Sequence, residues 1–236
     1  MILDYTYGIT VLLIFLLGDS MANFSDTRRE MIDCQVRTAD VTNYSILKVM
    51  SNVAREKFVP KNLQSVAYSE TNLNVGLGRY LLEPRIFAKM LELLDVTARD
   101  LILDIAPGYG YSSAVLAGMA EAVVAVENKY FAEESQKILI KEAIDNAVVY
   151  EGILTAGLGQ EESVDAIIIQ GGIEEFPSEL EKQVKIGGRA IAIFIDGVRG
   201  ACWKGLKTKT GIDWNFGFNA LVPVLEDFTR KKEFIF

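Results

Sequence analysis

Leu101-Ile-Leu-Asp-Ile-Ala-Pro-Gly-Tyr-Gly-Tyr-Ser112 is the stretch that decides how this 236-residue chain is read. An apolar strand, Leu101 to Ile105, carries an acid at Asp104. It runs into a turn with Ala106, Gly108 and Gly110 at alternate positions, and a helix follows. Glycine has no Cβ, so such a turn lets a ligand approach the backbone. The helix behind it offers unpaired N–H groups and the positive end of its dipole. A dinucleotide fingerprint, G-x-G-x-x-G, would need glycine where this chain has Ala106 and Tyr111, so a nicotinamide or flavin dinucleotide is disfavoured.

Outward from that turn, strands and helices alternate. Ser112 to Met119 reads as a helix, Ala122 to Val126 as a strand, and Phe131 to Ile144 as an amphipathic helix. Strands follow at Ala147 to Tyr150, Ala166 to Ile169 and Arg189 to Ile195, with a helix over Pro177 to Val184. Uninterrupted apolar runs such as Ala166-Ile-Ile-Ile169 indicate strands covered on both faces, as in parallel sheets. The alternation predicts an open, doubly wound, mostly parallel α/β sheet. Upstream, Ser25 and Thr42-Asn43 open two helices, residues 69–84 read as an ordered loop, and Arg85 to Leu94 returns to helical period. Downstream, Cys202 to Thr208, Ile212 to Phe218 and Glu233 to Phe236 read as strands without helices between them. Lys209-Thr210-Gly211 is a turn, which predicts an antiparallel end to the sheet.

Composition excludes several chemistries. The chain has no histidine, which removes Ser-His-Asp and Cys-His catalysis and every histidine metal site, and no metal is expected. Lys plus Arg is 24 against 32 for Asp plus Glu, a net charge of −8 with no basic stripe, so a nucleic-acid partner is disfavoured. Arg230-Lys231-Lys232 reads as a solvated edge. Cys34 and Cys202 lack CxxC spacing. They read as small buried hydrophobes in a reducing, cytoplasmic setting. The apolar run Ile9 to Leu17, nine residues long, is too short to span a bilayer, so no membrane association is expected. Asp4 rather than Lys or Arg precedes it, and no small-x-small cleavage site follows. Residues 1–20 therefore read as an extension outside a single domain over 21–236. An export signal or anchor, or a packed helix, are the other readings.

The acid-x-Ala106-x-Gly108-x-Gly110 spacing is similar to the turn of S-adenosylmethionine-dependent methyltransferases, with alanine at the first glycine. Asp104 then lies near the ligand's amino-acid portion. Glu127, seventeen positions after Gly110, ends the second strand, where an acid can accept from both ribose hydroxyls. The bland alternative is a tight turn with a surface glutamate.

Further stretches carry a family resemblance. They are Met31-Ile-Asp-Cys-Gln-Val36, Val53-Ala-Arg-Glu-Lys-Phe-Val-Pro60, Ala67-Tyr68, Gly76-Leu-Gly78 ahead of Glu83-Pro84, then Asp165-Ala-Ile-Ile-Ile169 and Gly187-Gly188. Over roughly residues 31–195 the chain resembles the protein-L-isoaspartate O-methyltransferases. The resemblance implies the class I methyltransferase fold, S-adenosylmethionine as cofactor, and the side-chain carboxylate of an L-isoaspartyl residue in damaged protein as acceptor. A carboxylate is ionised at pH 7, so the implied displacement needs no general base.

The chain departs from this family in two places. The family loop G-x-G-Q-T-I-S-Q-P reads Gly76-Leu77-Gly78-Arg79-Tyr80-Leu81-Leu82-Glu83-Pro84 here. Leu82 takes the place of the family's active-site serine, Tyr80 that of its threonine and Arg79 that of its glutamine. Arg79 reads as a solvated loop charge or as a charge-assisted donor to an acceptor carboxylate. Tyr80 reads as a packing residue or a face near the sulfonium, and Glu83 as a surface charge. The family's Gly-Asp, whose acid reads the adenine amino group, is Gly152-Ile153. Three functions stay open: an isoaspartyl methyltransferase, a relative with a changed acceptor, and a non-catalytic protein retaining the fold.

Overall fold

The structure, a computed structural model, describes residues 23–159 and 163–230. The 1–20 extension, the strand expected over 233–236 and the two lysines beside Arg230 lie outside the described residues. Helix α1 (Phe24–Glu30) continues into a π-helical turn, Met31–Val36. Its N-cap is Asn23 rather than Ser25, because the Asn23 carbonyl already accepts from Asp26 N (2.8 Å). Asn43 caps α2 (Tyr44–Asn52) with its side chain, and Ile46, Leu47 and Met50 are buried as their spacing predicts.

Residues 69–84 are not a loop throughout. They hold a hairpin of β1 (Leu73–Gly76) and β2 (Arg79–Leu81). Gly76, Leu77 and Gly78 all have positive φ and reverse the chain, while strands of four and three residues are too short to show alternation. Helix α3 (Pro84–Leu94) follows and buries Ile86, Phe87, Met90, Leu91 and Leu94.

The main sheet is built from β3 (Leu101–Ile105), β4 (Ala122–Glu127), β5 (Ala147–Glu151), β6 (Val164–Ile173), β7 (Val184–Asp196), β8 (Arg199–Lys207) and β9 (Ile212–Asn219). Their order is β5-β4-β3-β6-β7-β8-β9. Pairing is parallel from β5 to β7 and antiparallel through β8 and β9. Helices α4 (Tyr111–Ala117), α5 (Lys129–Lys141) and α6 (Ser178–Gln183) connect the parallel strands.

Successive residues of β3 serve opposite layers, as a strand requires. Ile102 joins the cluster with Met50, Phe87 and Phe131, and Leu103 and Ile105 join the one with Leu180 and Phe228. Cys202 is buried and its thiol is pushed up to about 12 by desolvation. Cys34 is exposed on the π-helical turn, contrary to expectation, because Met31, Ile32 and Val36 supply the buried face there. Among the described residues no helix is long and apolar enough to cross a membrane.

Candidate functional site

The chain order of the parallel strands reverses at β3, which has β4 on one side and β6 on the other. Ligands of open α/β sheets bind outside the carboxyl ends of the strands at such a point. Asp104, Glu127 and Gln170 come to these strand ends. In register, Asp104 stands opposite Ala125 and Ile168, and Glu127 opposite Glu151.

Asp104 is fully buried. Its Oδ2 accepts from Ser112 Oγ (2.6 Å) and Ser113 Oγ (2.7 Å), and its Oδ1 from Gln170 Nε2 (2.8 Å). Desolvation pushes its carboxyl up to about 6. The three hydrogen bonds oppose that rise and the charge of Glu127 adds to it. In the following turn Ala106, Gly108 and Gly110 are all left-handed, at φ 61°, 59° and 90°. Ala106 holds a conformation that costs an L-residue about 1–2 kcal/mol. At Gly110 a Cβ would also come within 3.1 Å of Ser135 Cβ.

Glu127 is no surface glutamate; it too is fully buried. Its Oε1 accepts from Gly108 N (2.9 Å) and its Oε2 from Asn128 N (2.8 Å). The remaining partner is Arg79, whose Nε donates to Oε1 at 2.9 Å and to Oε2 at 3.2 Å. Burial raises the Glu127 pKa, while Arg79 and the two N–H groups pull it back. Arg79 is therefore neither a solvated charge nor free for an acceptor. It is 5% exposed and neutralises the acid that the sequence marks for the ribose.

The rest of the loop is closed as well. Leu82 is buried, and its carbonyl accepts from Arg55 Nη2 (2.5 Å). Arg55 is itself buried, donates through Nε to Ala67 O (2.6 Å), and lies 4.8 Å from the centre of the Tyr111 ring. Its Nη1 and the Tyr111 hydroxyl have no hydrogen-bond partner among the described residues. Beside them Tyr80, Leu82, Pro107 and Gln170 enclose about 10 Å³, room for about one water. Glu83 is not a surface charge; it is 9% exposed and pairs with Arg85 Nε (2.5 Å).

Gly152 N donates to Glu127 O (2.9 Å), which brings the end of β5 beside the acid, while Ile153 is an exposed apolar residue. Ser113 and Gln170 lie outside the stretches quoted from the sequence, and Arg55 and Ser112 lie inside them with no role legible there. The polar Gln170 ending an apolar run was the one available signal.

An adenosyl ligand needs hydroxyl acceptors and an approachable backbone. Glu127 supplies the acceptor and the left-handed turn the backbone, over which Val75 and Arg79 pack at Gly108, and Asp104 supplies a second acid one strand away. The residues fit such a ligand in kind, with the Arg79 guanidinium standing on Glu127.

The family model for protein-L-isoaspartate(D-aspartate) O-methyltransferase matches residues 26–197. A protein-L-isoaspartate O-methyltransferase of Methanoculleus marisnigri is 35% identical over 166 residues, which is 70% of this chain and 76% of that protein. One of Syntrophus aciditrophicus is 34% identical, over 72% of this chain and 79% of its own. Among solved structures, a protein-L-isoaspartate O-methyltransferase matches with TM-score 0.72 at 21% identity, over 84% of this chain and 65% of its own. A beta-aspartate methyltransferase structure from Plasmodium falciparum, in complex with S-adenosyl-L-homocysteine, matches with TM-score 0.72 at 18% identity, over 85% and 98%. At these identities the structural likeness speaks for the fold.

Proposed function

Because the chain belongs to the protein-L-isoaspartate O-methyltransferase family, we propose that it is an S-adenosylmethionine-dependent protein carboxyl O-methyltransferase acting on L-isoaspartyl residues. The observation that carries this reading is the pair of buried acids, Asp104 and Glu127, at adjacent strand ends on either side of a left-handed turn.

S-adenosylmethionine, when bound, supplies an electrophilic methyl group. Glu127 would hold the ribose hydroxyls, with Gly108 N–H and Asn128 N–H keeping its carboxylate in one orientation. Asp104 would face the amino-acid portion, its rotamer fixed by Ser112, Ser113 and Gln170. Gly152 and Ile153 would flank the adenine from the end of β5. The acceptor carboxylate is ionised at neutral pH, so no side chain has to take a proton from it. Leu81, Leu82 and Phe87 put apolar side chains beside Arg55, Tyr111 and Gln170 in the small enclosed space next to the turn, and a low-dielectric setting strengthens attraction between carboxylate and sulfonium. Tyr80 lines the same space. The acidic composition disfavours a nucleic-acid acceptor, and two cysteines without CxxC spacing support a reducing, cytoplasmic location.

A second reading, a carboxylate acceptor other than isoaspartate, is favoured by Leu82. Its side chain has no hydroxyl, and its carbonyl is already taken by Arg55. The test uses labelled cofactor with an isoaspartyl peptide and its aspartyl control. Selective labelling of the isoaspartyl peptide is expected. Labelling of neither, with S-adenosylhomocysteine binding intact by calorimetry, would move the proposal to the second reading.

A further inference from the structure

Arg79 has two carboxylates within reach. Nε contacts Glu127 at 2.9 Å, and Nη2 lies 4.0 Å from Asp227 Oδ2. The two acids differ in setting. The Glu127 side chain is fully buried, whereas that of Asp227 is 51% exposed, on the short helical turn Glu226–Phe228. Among the described residues no third carboxylate comes within 4.0 Å of the Arg79 guanidinium. Arg79 itself sits at the first position of β2, directly after the left-handed Leu77 and Gly78, and Gly78 has nothing within 4 Å of where a Cβ would be.

From this we infer that Arg79 is a built-in competitor for the ribose site on Glu127, and that Asp227 receives it when a ligand takes that site. The inference rests on the reading of Asp104 to Glu127 as an adenosyl cradle. A carboxylate has room for a few donors. Gly108 N–H and Asn128 N–H hold two positions on Glu127, and Arg79 holds the side a ribose diol would need. A nucleoside can bind only after the guanidinium leaves. A guanidinium leaving a buried acid needs a new counter-charge, and Asp227 is the nearest one on the way to solvent. Affinity is then scaled down by the fraction of molecules in which Arg79 is already away from Glu127. A neutral glutamine, which the family loop carries at this place, forms no such ion pair. Arg79 thus sets cofactor affinity without touching the reacting atoms.

The test is calorimetric titration of the full chain with S-adenosylhomocysteine, in wild type, Arg79→Gln, Asp227→Asn and the double variant. Arg79→Gln is expected to bind at least about tenfold tighter than wild type. Asp227→Asn is expected to bind about threefold weaker or worse, and to have no effect once Arg79 is replaced, since its role is to receive Arg79. Arg79→Met keeps the apolar stem without the charge and should behave like the glutamine variant. Thermal melts report that each variant is folded. Equal or weaker binding by both Arg79 variants, with wild type binding, overturns the competitor and leaves the cofactor reading standing. An Asp227→Asn effect of equal size in both backgrounds overturns the hand-over. No binding by any folded variant overturns the cofactor reading and this inference with it.

Discussion

Ser113 Oγ donates to Asp104 Oδ2 across 2.7 Å, so the acid at the end of β3 is gripped by the helix into which its own strand leads. That grip does not offset burial: the carboxyl rises from its ordinary 3.8 to about 6. The unfolded chain releases this proton near 3.8, and the folded chain keeps it until about 6. Between those values the folded state binds more protons, so this group's contribution to stability falls as pH rises, by about 3 kcal/mol in all. Asp104→Asn removes that fall. Ser112 and Ser113 can rotate and Gln170 can flip to meet the amide. The variant is expected to melt above wild type at pH 7, with the difference closing towards pH 4, while losing affinity for S-adenosylhomocysteine. Paired melts from pH 4 to 7 check this, and a variant less stable at pH 7 would contradict the burial argument.

Removing Arg79 tests the buried pair in the unliganded protein. Arg79→Ala leaves Glu127 desolvated with only Gly108 N–H and Asn128 N–H. Breaking one side of a buried pair costs about 3 kcal/mol or more. The Glu127 carboxyl, already raised by burial, then rises further. The loss should therefore be smaller at pH 5, where protonation relieves the charge, than at pH 7.5. Urea unfolding at both values measures it.

Leu82→Ser restores the hydroxyl of the family loop. Leu82 is 3% exposed, so the change is expected to cost about 2–4 kcal/mol of stability. Methylation of an isoaspartyl peptide, per folded molecule, is expected to rise, read as an initial rate beside the aspartyl control. An unchanged rate with cofactor binding intact means that this loop serves another acceptor.

Arg55 joins two carbonyls that are far apart in the chain, Ala67 O and Leu82 O. Arg55→Lys keeps the charge and loses the planar fork, so one of those buried carbonyls is left unpaired. About 1–3 kcal/mol of stability should be lost. Thermal melts read the loss, and hydrogen exchange should rise first around the Leu73–Leu81 hairpin.

Much of this architecture is legible in the sequence. β3 falls on Leu101–Ile105 as read, and α3 covers the stretch from Arg85 to Leu94 that returns to helical period, with Ile86, Phe87, Met90, Leu91 and Leu94 buried. Both follow from local pattern: an apolar run closed by a glycine turn, and a 3.6-residue period. The hairpin over 73–81 was missed because its strands are too short to alternate and its turn is made by backbone conformation. The acids Asp104 and Glu127 are legible because each lies within the last two residues of an apolar strand. Arg79 was misread because its partner is 48 residues away, and no local pattern records which charge a folded loop will meet. Glu83 differs for another reason: its partner Arg85 is local, but its burial is set by the packing of β2 and α3 around it.

Among the described residues the backbone ladder of β1 and β2 pairs with no strand of the main sheet, and the Arg79 side chain ties it to Glu127 at the end of β4. The hairpin is consequently held to the sheet by side chains rather than by rungs. A substitution there leaves every rung of the seven-stranded sheet in place, even where, as at Arg79, it costs stability. What stands on Glu127 can therefore change with a single side chain of this hairpin, with the scaffold beneath it left as it was.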